Sequence, residues 1–307
     1  MRHDDSPGAD TTGDALERFT HAAETAARDV IHTYSTSFGL ATRLLGSRHR
    51  RHVRNIYAMV RIADEIVDGV AAEAGLTPPA LEAALRDYRT ETHRAIRDGY
   101  SSDLVLHAFA RTARDAGIDE DLTGPFFDSM QSDLPSADVG STFAAYDASA
   151  HQRYVYGSAE VIGLMCLRVF LREEVRDAAA LETLRSGARQ LGAAFQNINF
   201  LRDLADDTER LRRGYLTGVR RLTDEDRDAW VGTIREQLDR ARLAIPLLPR
   251  DARAAVRSAL ALFAALTDRI ERTPAAELYH RRIRVPAAQK GLLVAAAVLR
   301  TWTEPRR

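Results

Sequence analysis

The stretch "QNINFLRDLADD" (196–207) places Asp203, Asp206 and Asp207 within five positions of one another, beside Asn199 and Arg202. Side chains four apart share one face of an α-helix, so Asp203 and Asp207 are expected to point the same way. Like charges in that relation destabilise an isolated helix by roughly 0.2–0.5 kcal/mol, and by more where water is excluded. Something must neutralise them. On a solvated face Arg202, Arg210 and Arg212 would serve, with Asp206 as a solvated neighbour. A second cluster, in "YAMVRIADEIVDGV" (57–70), repeats the spacing with Asp64 and Asp68, among positions that are otherwise strongly apolar. Two acidic pairs facing one another at the border of an apolar interior would chelate hard cations, and carboxylates that leave room for water and phosphate suit magnesium. An acidic cleft at the mouth of an apolar tunnel is a place for a diphosphate carried on a lipid tail. Cations and arginines on that diphosphate would stabilise its departure as an anion, leaving an allylic carbocation in a tunnel that excludes water.

Outward from these clusters the pattern is helical throughout. Val53, Ile56, Tyr57, Val60, Ala63, Ile66 and Val67 recur at three- and four-residue spacing, and no strand-like alternation is found. The prolines, at 78–79, 125, 135, 246, 249, 274 and 286 among others, are expected to start or end helices. Thr223 followed by Asp226 resembles a capping box. The polar stretch 1–14 is expected to be a disordered tail, with a single all-helical domain over 15–307.

Composition narrows the function. The hydrophobic and charged fractions, 45% and 28%, are those of an ordinary soluble domain. A formal net charge of -1 gives no general attraction to nucleic acid, which is therefore not an expected partner. Lys290 is the only lysine, so arginine abundance reflects residue usage and says nothing about phosphate. The single cysteine, Cys166, lies among Leu164, Met165 and Leu167 and reads as a buried, inert thiol. No HExxH pair and no Gly-rich nucleotide loop is present. The uncharged run "GLLVAAAVL" (291–299) is far short of the roughly 20 residues that cross a bilayer, so a cytoplasmic protein, peripheral to the membrane at most, is expected.

With these residues in hand, the chain resembles the phytoene/squalene synthase family of head-to-head prenyl transferases, from about residue 30 to 291. Four segments carry the likeness. "YSTSFGLATRLL" (34–45) is similar to the family's Ser-x-Ser-Phe entrance through Ser35, Ser37 and Phe38, and "RIADEIVD" (61–68) to its first aspartate-rich motif with the preceding Arg61. "YVYGSAEVIGLM" (154–165) matches a Tyr-x-Tyr helix at Tyr154, Tyr156, Ala159 and Gly163; "QNINFLRDLADDTERLRRGYL" (196–216) matches the second aspartate-rich motif at Gln196, Asn199, Arg202, Asp203, Asp207, Arg213 and Tyr215. A fainter match, "HRRIRVPAAQK" (280–290), points to Arg282 as a further diphosphate contact.

The resemblance implies an all-α isoprenoid-synthase-type bundle with a central apolar tunnel. It implies metal binding by Asp64, Asp68, Asp203 and Asp207, with magnesium and manganese as the candidate ions. Diphosphate contacts would come from Ser35, Ser37, Arg61, Arg202 and Arg282, and Gln196 and Asn199 would line the ionisation site. Phe38, Ala159, Ile162 and Gly163 would lie against the lipid, and Tyr154 and Tyr215 would steer diphosphate or stabilise cationic carbon. The implied reaction joins two prenyl diphosphates through a cyclopropylcarbinyl diphosphate, most simply two geranylgeranyl diphosphates to phytoene. The nearest alternative is farnesyl diphosphate as substrate, giving presqualene diphosphate, dehydrosqualene or squalene, with NADPH entering only in a squalene-forming member. A class I terpene cyclase and an inert lipid-binding scaffold are the rival readings. Downstream isoprenoid-pathway enzymes and a membrane surface are the implied partners. Tyr34 is assigned no role, and Glu160, where the family has glycine, either turns away from the lipid or lines the tunnel.

Overall fold

The apolar stripe beginning at Val53 forms the buried face of a 21-residue helix, with Val53, Ile56, Met59, Ala63 and Val67 inside. The computed structural model describes residues 11–67, 69–134, 148–204 and 221–304, and no strand occurs among them. The order is α1 (Thr11–Tyr34), α2 (Thr36–Thr42), α3 (Ser47–Val67), α4 (Val70–Glu73), α5 (Pro78–Asp98), α6 (Leu104–Ala116) and α7 (Glu120–Asp133). It continues with α8 (Ala148–Val155), a π-helical turn (Tyr156–Glu160), α9 (Val161–Leu171), α10 (Ala178–Arg202) and α11 (Asp224–Ala244). After a 3-10 turn (Ile245–Leu247) come α12 (Arg250–Glu271), α13 (Ala275–Leu278) and α14 (Ala287–Thr303). The all-α expectation holds.

Local chemistry explains the boundaries. Asp103, Asp119 and Asp177 cap α6, α7 and α10 by accepting backbone N–H bonds, and Thr223 with Asp226 forms the expected capping box of α11. Three expectations need correction. Helix α1 begins at Thr11, so residues 11–14, expected in a disordered tail, are helical; residues 1–10 lie outside the described part. Pro125 neither starts nor ends a helix but sits inside α7, where Gly157 of the π turn packs on its carbonyl; a Cβ at 157 would lie 2.3 Å from that oxygen. Finally, α8, the π turn and α9 run on as one 24-residue helix that is long and apolar enough to cross a membrane, although the uncharged runs in the sequence are short. Half of its most apolar window is buried in the bundle, which accounts for its composition.

Two cores flank α10. One gathers Ile56, Met59, Phe109, Phe126, Phe127 and Met165 from α3, α6, α7 and α9; the other gathers Ile198, Leu201, Ile234, Leu238, Leu266 and Ile270 from α10, α11 and α12. Where α10 crosses the π turn and α9, backbones touch: a Cβ at Gly192 would lie 2.5 Å from the Ala159 carbonyl oxygen, and one at Gly163 2.4 Å from that of Ala188. Backbone cannot rotate aside as a side chain can. Gly192→Ala is therefore expected to destabilise the fold by about 1–3 kcal/mol, read as a lower urea midpoint; an unchanged midpoint would show that the helices separate freely.

At the opposite end of α3 from Asp64, His52 is buried against Thr112, with Nδ1 3.0 Å from its hydroxyl, while Arg51 donates to Nε2 at 3.2 Å. That pattern fits the neutral ring. Burial, helped by the charges of Arg172 and Arg51 and opposed by Asp115, lowers its pKa to about 4. An imidazole whose pKa falls on folding contributes stability that is complete above about 6.5 and is lost as pH drops toward about 4, here on the order of 2 kcal/mol. His52→Gln, which does not titrate, should lose less stability between pH 7 and pH 4.5 than the parent chain; equal losses would refute the assignment.

Candidate active site

Between the two cores lies a cavity of about 670 Å³, within the range of roughly 300–1,000 Å³ typical of ligand pockets. Its walls come from α3, α9, α10 and α12, and its lining on α10 extends from Leu184 to Asp203. At 1.5 Å per residue the cavity follows that helix for roughly 28 Å. It is amphipathic end to end. One end is lined by Leu45, Val53, Phe170, Leu184, Leu248 and Ala255, all buried apolar side chains; the other by Arg61, Asp64, Gln196, Asn199, Arg202, Asp203 and Arg282.

Asp64 and Asp203, far apart in sequence, open on this one cavity. Both stand at helix C-termini, Asp64 in the last turn of α3 and Asp203 as the C-cap of α10. Carboxylates there oppose the helix dipole, so the two ends sum to a region of negative potential that calls for cations. The chain supplies guanidinium groups. Arg202 binds Asp203 through two hydrogen bonds of 2.9 and 2.5 Å, and Arg282 Nε reaches it at 2.8 Å. Arg61 pairs with Glu65, lies 3.9 Å from Asp64 and stacks 4.6 Å over the Tyr34 ring. Tyr34, given no role by the sequence, thus walls the polar end, and Glu65 is the buried partner of Arg61.

The structure also revises the opening expectation about residues 203 and 207. Helix α10 closes at Arg202, and Asp203 has φ -102° and ψ 11°, so the two aspartates are not joined by an unbroken helix. The pull of Arg202 and Arg282 on the carboxylate accompanies that break. Asp68, Asp206, Asp207, Arg210, Arg212, Arg213 and Tyr215 lie outside the described residues. Among the described residues no trio of His, Cys, Asp and Glu is gathered as a metal cluster.

The remaining candidates fall as follows. Ser35 lines the cavity while its hydroxyl accepts the Phe38 N–H at 3.1 Å as the cap of α2, and Phe38 stacks on Tyr57 with ring centroids 5.4 Å apart. Ser37 lies in α2. Burial raises the pKa of Tyr57, against the opposing charge of Arg61 and a hydrogen bond from Ser35. Ala159, Ile162 and Gly163 line the apolar wall. Tyr154 presents its ring to the cavity, but its hydroxyl donates to Asp133 at 2.7 Å. Glu160 turns away and binds Arg189 at 2.6 Å, which resolves the alternative left open by its position. Cys166 lines the apolar part, where burial pushes its thiol up to about 12. Sequence reasoning missed Phe195 and Phe263, stacked 3.7 Å apart on the wall, and Tyr57 and Asp133. Phe195 was findable as the neighbour of Gln196; Phe263 belongs to a helix without any motif.

A family model described as squalene/phytoene synthase matches residues 31–218. The chain belongs to the squalene/phytoene synthase family. Among curated relatives, maize (Zea mays) phytoene synthase 3 is 28% identical over 90% of this chain and 66% of its own length. Phytoene synthase of Pseudescherichia vulneris is 31% identical over 61% of this chain and 56% of its own. The 15-cis-phytoene synthase of Synechocystis is 29% identical over 89% and 83%. The chain thus spans just under two thirds of the maize protein and little over half of the Pseudescherichia one. A crystal structure of a dehydrosqualene synthase superposes with a TM-score of 0.71 at 20% identity, covering 94% of this chain and 99% of that one. A squalene synthase from Alicyclobacillus acidocaldarius gives 0.67 at 17%, covering 82% and 94%. At such identities these two establish the shared isoprenoid-synthase fold.

Proposed function

We propose that this family member joins two prenyl diphosphates head to head, and that its substrate is geranylgeranyl diphosphate and its product phytoene. The observation that carries the reading is the single cavity with a carboxylate–guanidinium end and an apolar run of roughly 28 Å along α10. A prenyl tail built from ~1.5 Å carbon–carbon bonds advances about 1.25 Å per chain carbon, so geranylgeranyl needs about 20 Å and farnesyl about 15 Å. The cavity receives the longer tail with its head group. Relatives named phytoene synthase support the same choice.

Magnesium fits the residues present. Asn199 Oδ1 is buried at the cavity without a hydrogen-bond partner, one turn before Asp203, and oxygen donors of this kind suit a hard cation. Asp64 and Asp203, with Asp68 and Asp207, would hold the ion, which when bound would neutralise the departing diphosphate. Arg61, Arg202 and Arg282, paired with carboxylates in the free chain, would exchange those partners for diphosphate oxygens, which guanidinium forks match. As one diphosphate leaves, the allylic cation lies among the faces of Phe38, Tyr57, Phe195 and Phe263, which attract positive charge. The double bond of the second substrate attacks it, a proton is lost, and a cyclopropylcarbinyl diphosphate results. Departure of the second diphosphate, rearrangement and loss of a second proton complete the hydrocarbon, with no reductant. The apolar wall keeps water from the cations.

The test is incubation of the purified protein with each prenyl diphosphate separately, with and without NADPH, followed by mass analysis. A forty-carbon hydrocarbon formed without NADPH supports the proposal. Only thirty-carbon products would transfer it to farnesyl diphosphate, products with the substrate's own carbon number would indicate a cyclase, and no diphosphate release from any substrate would indicate a scaffold.

A further inference from the structure

Helix α14 packs along α12 with Gln289, Thr301 and the capping Glu304 turned toward it. Arg257 donates to Thr301 at 2.8 Å and pairs with Glu304, which Arg253 also holds at 3.2 Å. Arg269 donates to Gln289 at 3.1 Å, and Arg250 to the Trp302 carbonyl at 3.3 Å. These bonds fix the rotation of the helix and leave Ala288, Leu292, Ala295, Leu299 and Trp302 pointing outward. Leu292 is 73% exposed, Leu299 63% and Trp302 74%, and no charged side chain stands on that line. A surface helix ordinarily presents charge where this one presents leucine and tryptophan.

Charge surrounds the stripe instead of interrupting it. From residue 283 to 307 the sequence has five basic residues, Arg284, Lys290, Arg300, Arg306 and Arg307, and one acid, Glu304, which Arg253 and Arg257 already hold, although the whole chain carries -1. Arg284 precedes the helix and Arg300 flanks its far end, both exposed. We propose that the outward face of α14 docks on an anionic lipid bilayer, the apolar stripe entering the acyl boundary and the arginines meeting phosphate head groups. Trp302, at the end of the stripe, takes the interfacial position that tryptophan favours. A second copy of the chain is a poorer occupant, because a twofold pairing of this face would bring two basic flanks together. The proposal rests on this surface alone and holds whatever the cavity binds.

The test uses the full chain. Trp302 becomes the sole tryptophan in Trp230→Phe, since the sequence has two. On vesicles of phosphatidylglycerol and phosphatidylcholine its emission should shift to the blue and be quenched by brominated acyl chains, more weakly on phosphatidylcholine alone. In co-sedimentation, Leu292→Glu/Leu299→Glu should bind about tenfold less or worse, with an unchanged melting curve because neither side chain is buried. Val175→Glu, at a 94% exposed position elsewhere, should bind as the parent does. The proposal is overturned if the parent stays in the supernatant, if the double variant pellets like the parent, or if the parent is a vesicle-independent dimer that the double variant splits.

Discussion

Asp203→Asn is expected to slow diphosphate release by about 10³-fold or more while leaving the thermal transition nearly in place. The change keeps the shape of the side chain and removes its charge. On the folded chain that charge stands at the C-terminus of α10, against the helix dipole, and is offset by Arg202 and Arg282. Losing it relieves one unfavourable interaction as it removes two favourable ones, so little net stability changes. Under the proposed mechanism nothing offsets the loss for catalysis, because a neutral amide would not hold a divalent cation against the leaving group. Circular dichroism and magnesium-dependent release, measured on the same preparation, decide the matter. A folded variant that works at near the parent rate would remove Asp203 from the mechanism.

Ala188→Phe is expected to lower coupling of geranylgeranyl diphosphate by about 10²-fold and to spare farnesyl diphosphate. Ala188 lines the cavity, one turn from its apolar limit at Leu184. Fifteen residues separate it from Asp203, so a benzyl side chain reaching across the bore there cuts the usable depth from roughly 28 to roughly 22 Å. With about 5 Å taken by the diphosphate head, a tail of about 20 Å then no longer fits, while one of about 15 Å does. The ring enters the 670 Å³ void instead of packed atoms, so the fold should tolerate it. Competition between the two substrates, read as the ratio of forty- to thirty-carbon products, measures the effect. An unchanged ratio would show that depth along α10 does not select the tail.

Most of the fold was legible in the chain because helix periodicity is local. The stripe from Val53 to Val67 and the box at Thr223 and Asp226 each depend on residues within a few turns, and both form as read. Misreadings occurred where a distant segment intervened. Local rules make Pro125 a helix boundary, yet it stays within α7 in contact with Gly157 of the π turn, a contact no local rule contains. Glu160 is ambiguous in the chain because one helical step turns a side chain by about 100°, and only Arg189 decides which way it faces; Tyr34 gains a place only through Arg61.

Helicity and the i,i+4 spacing of two acidic segments are written in the chain, because each depends on near neighbours alone, whereas the arginines and amides beside them are singled out by resemblance to a family. Packing of the folded chain is what opens Asp64 and Asp203 on one cavity, brings Arg282 onto Asp203 from the segment between α13 and α14, and stacks Phe195 on Phe263 in the wall. Depth, convergence and the outward turn of Leu292, Leu299 and Trp302 arise from how helices pack, which depends on surfaces many residues apart that periodicity along one helix does not encode.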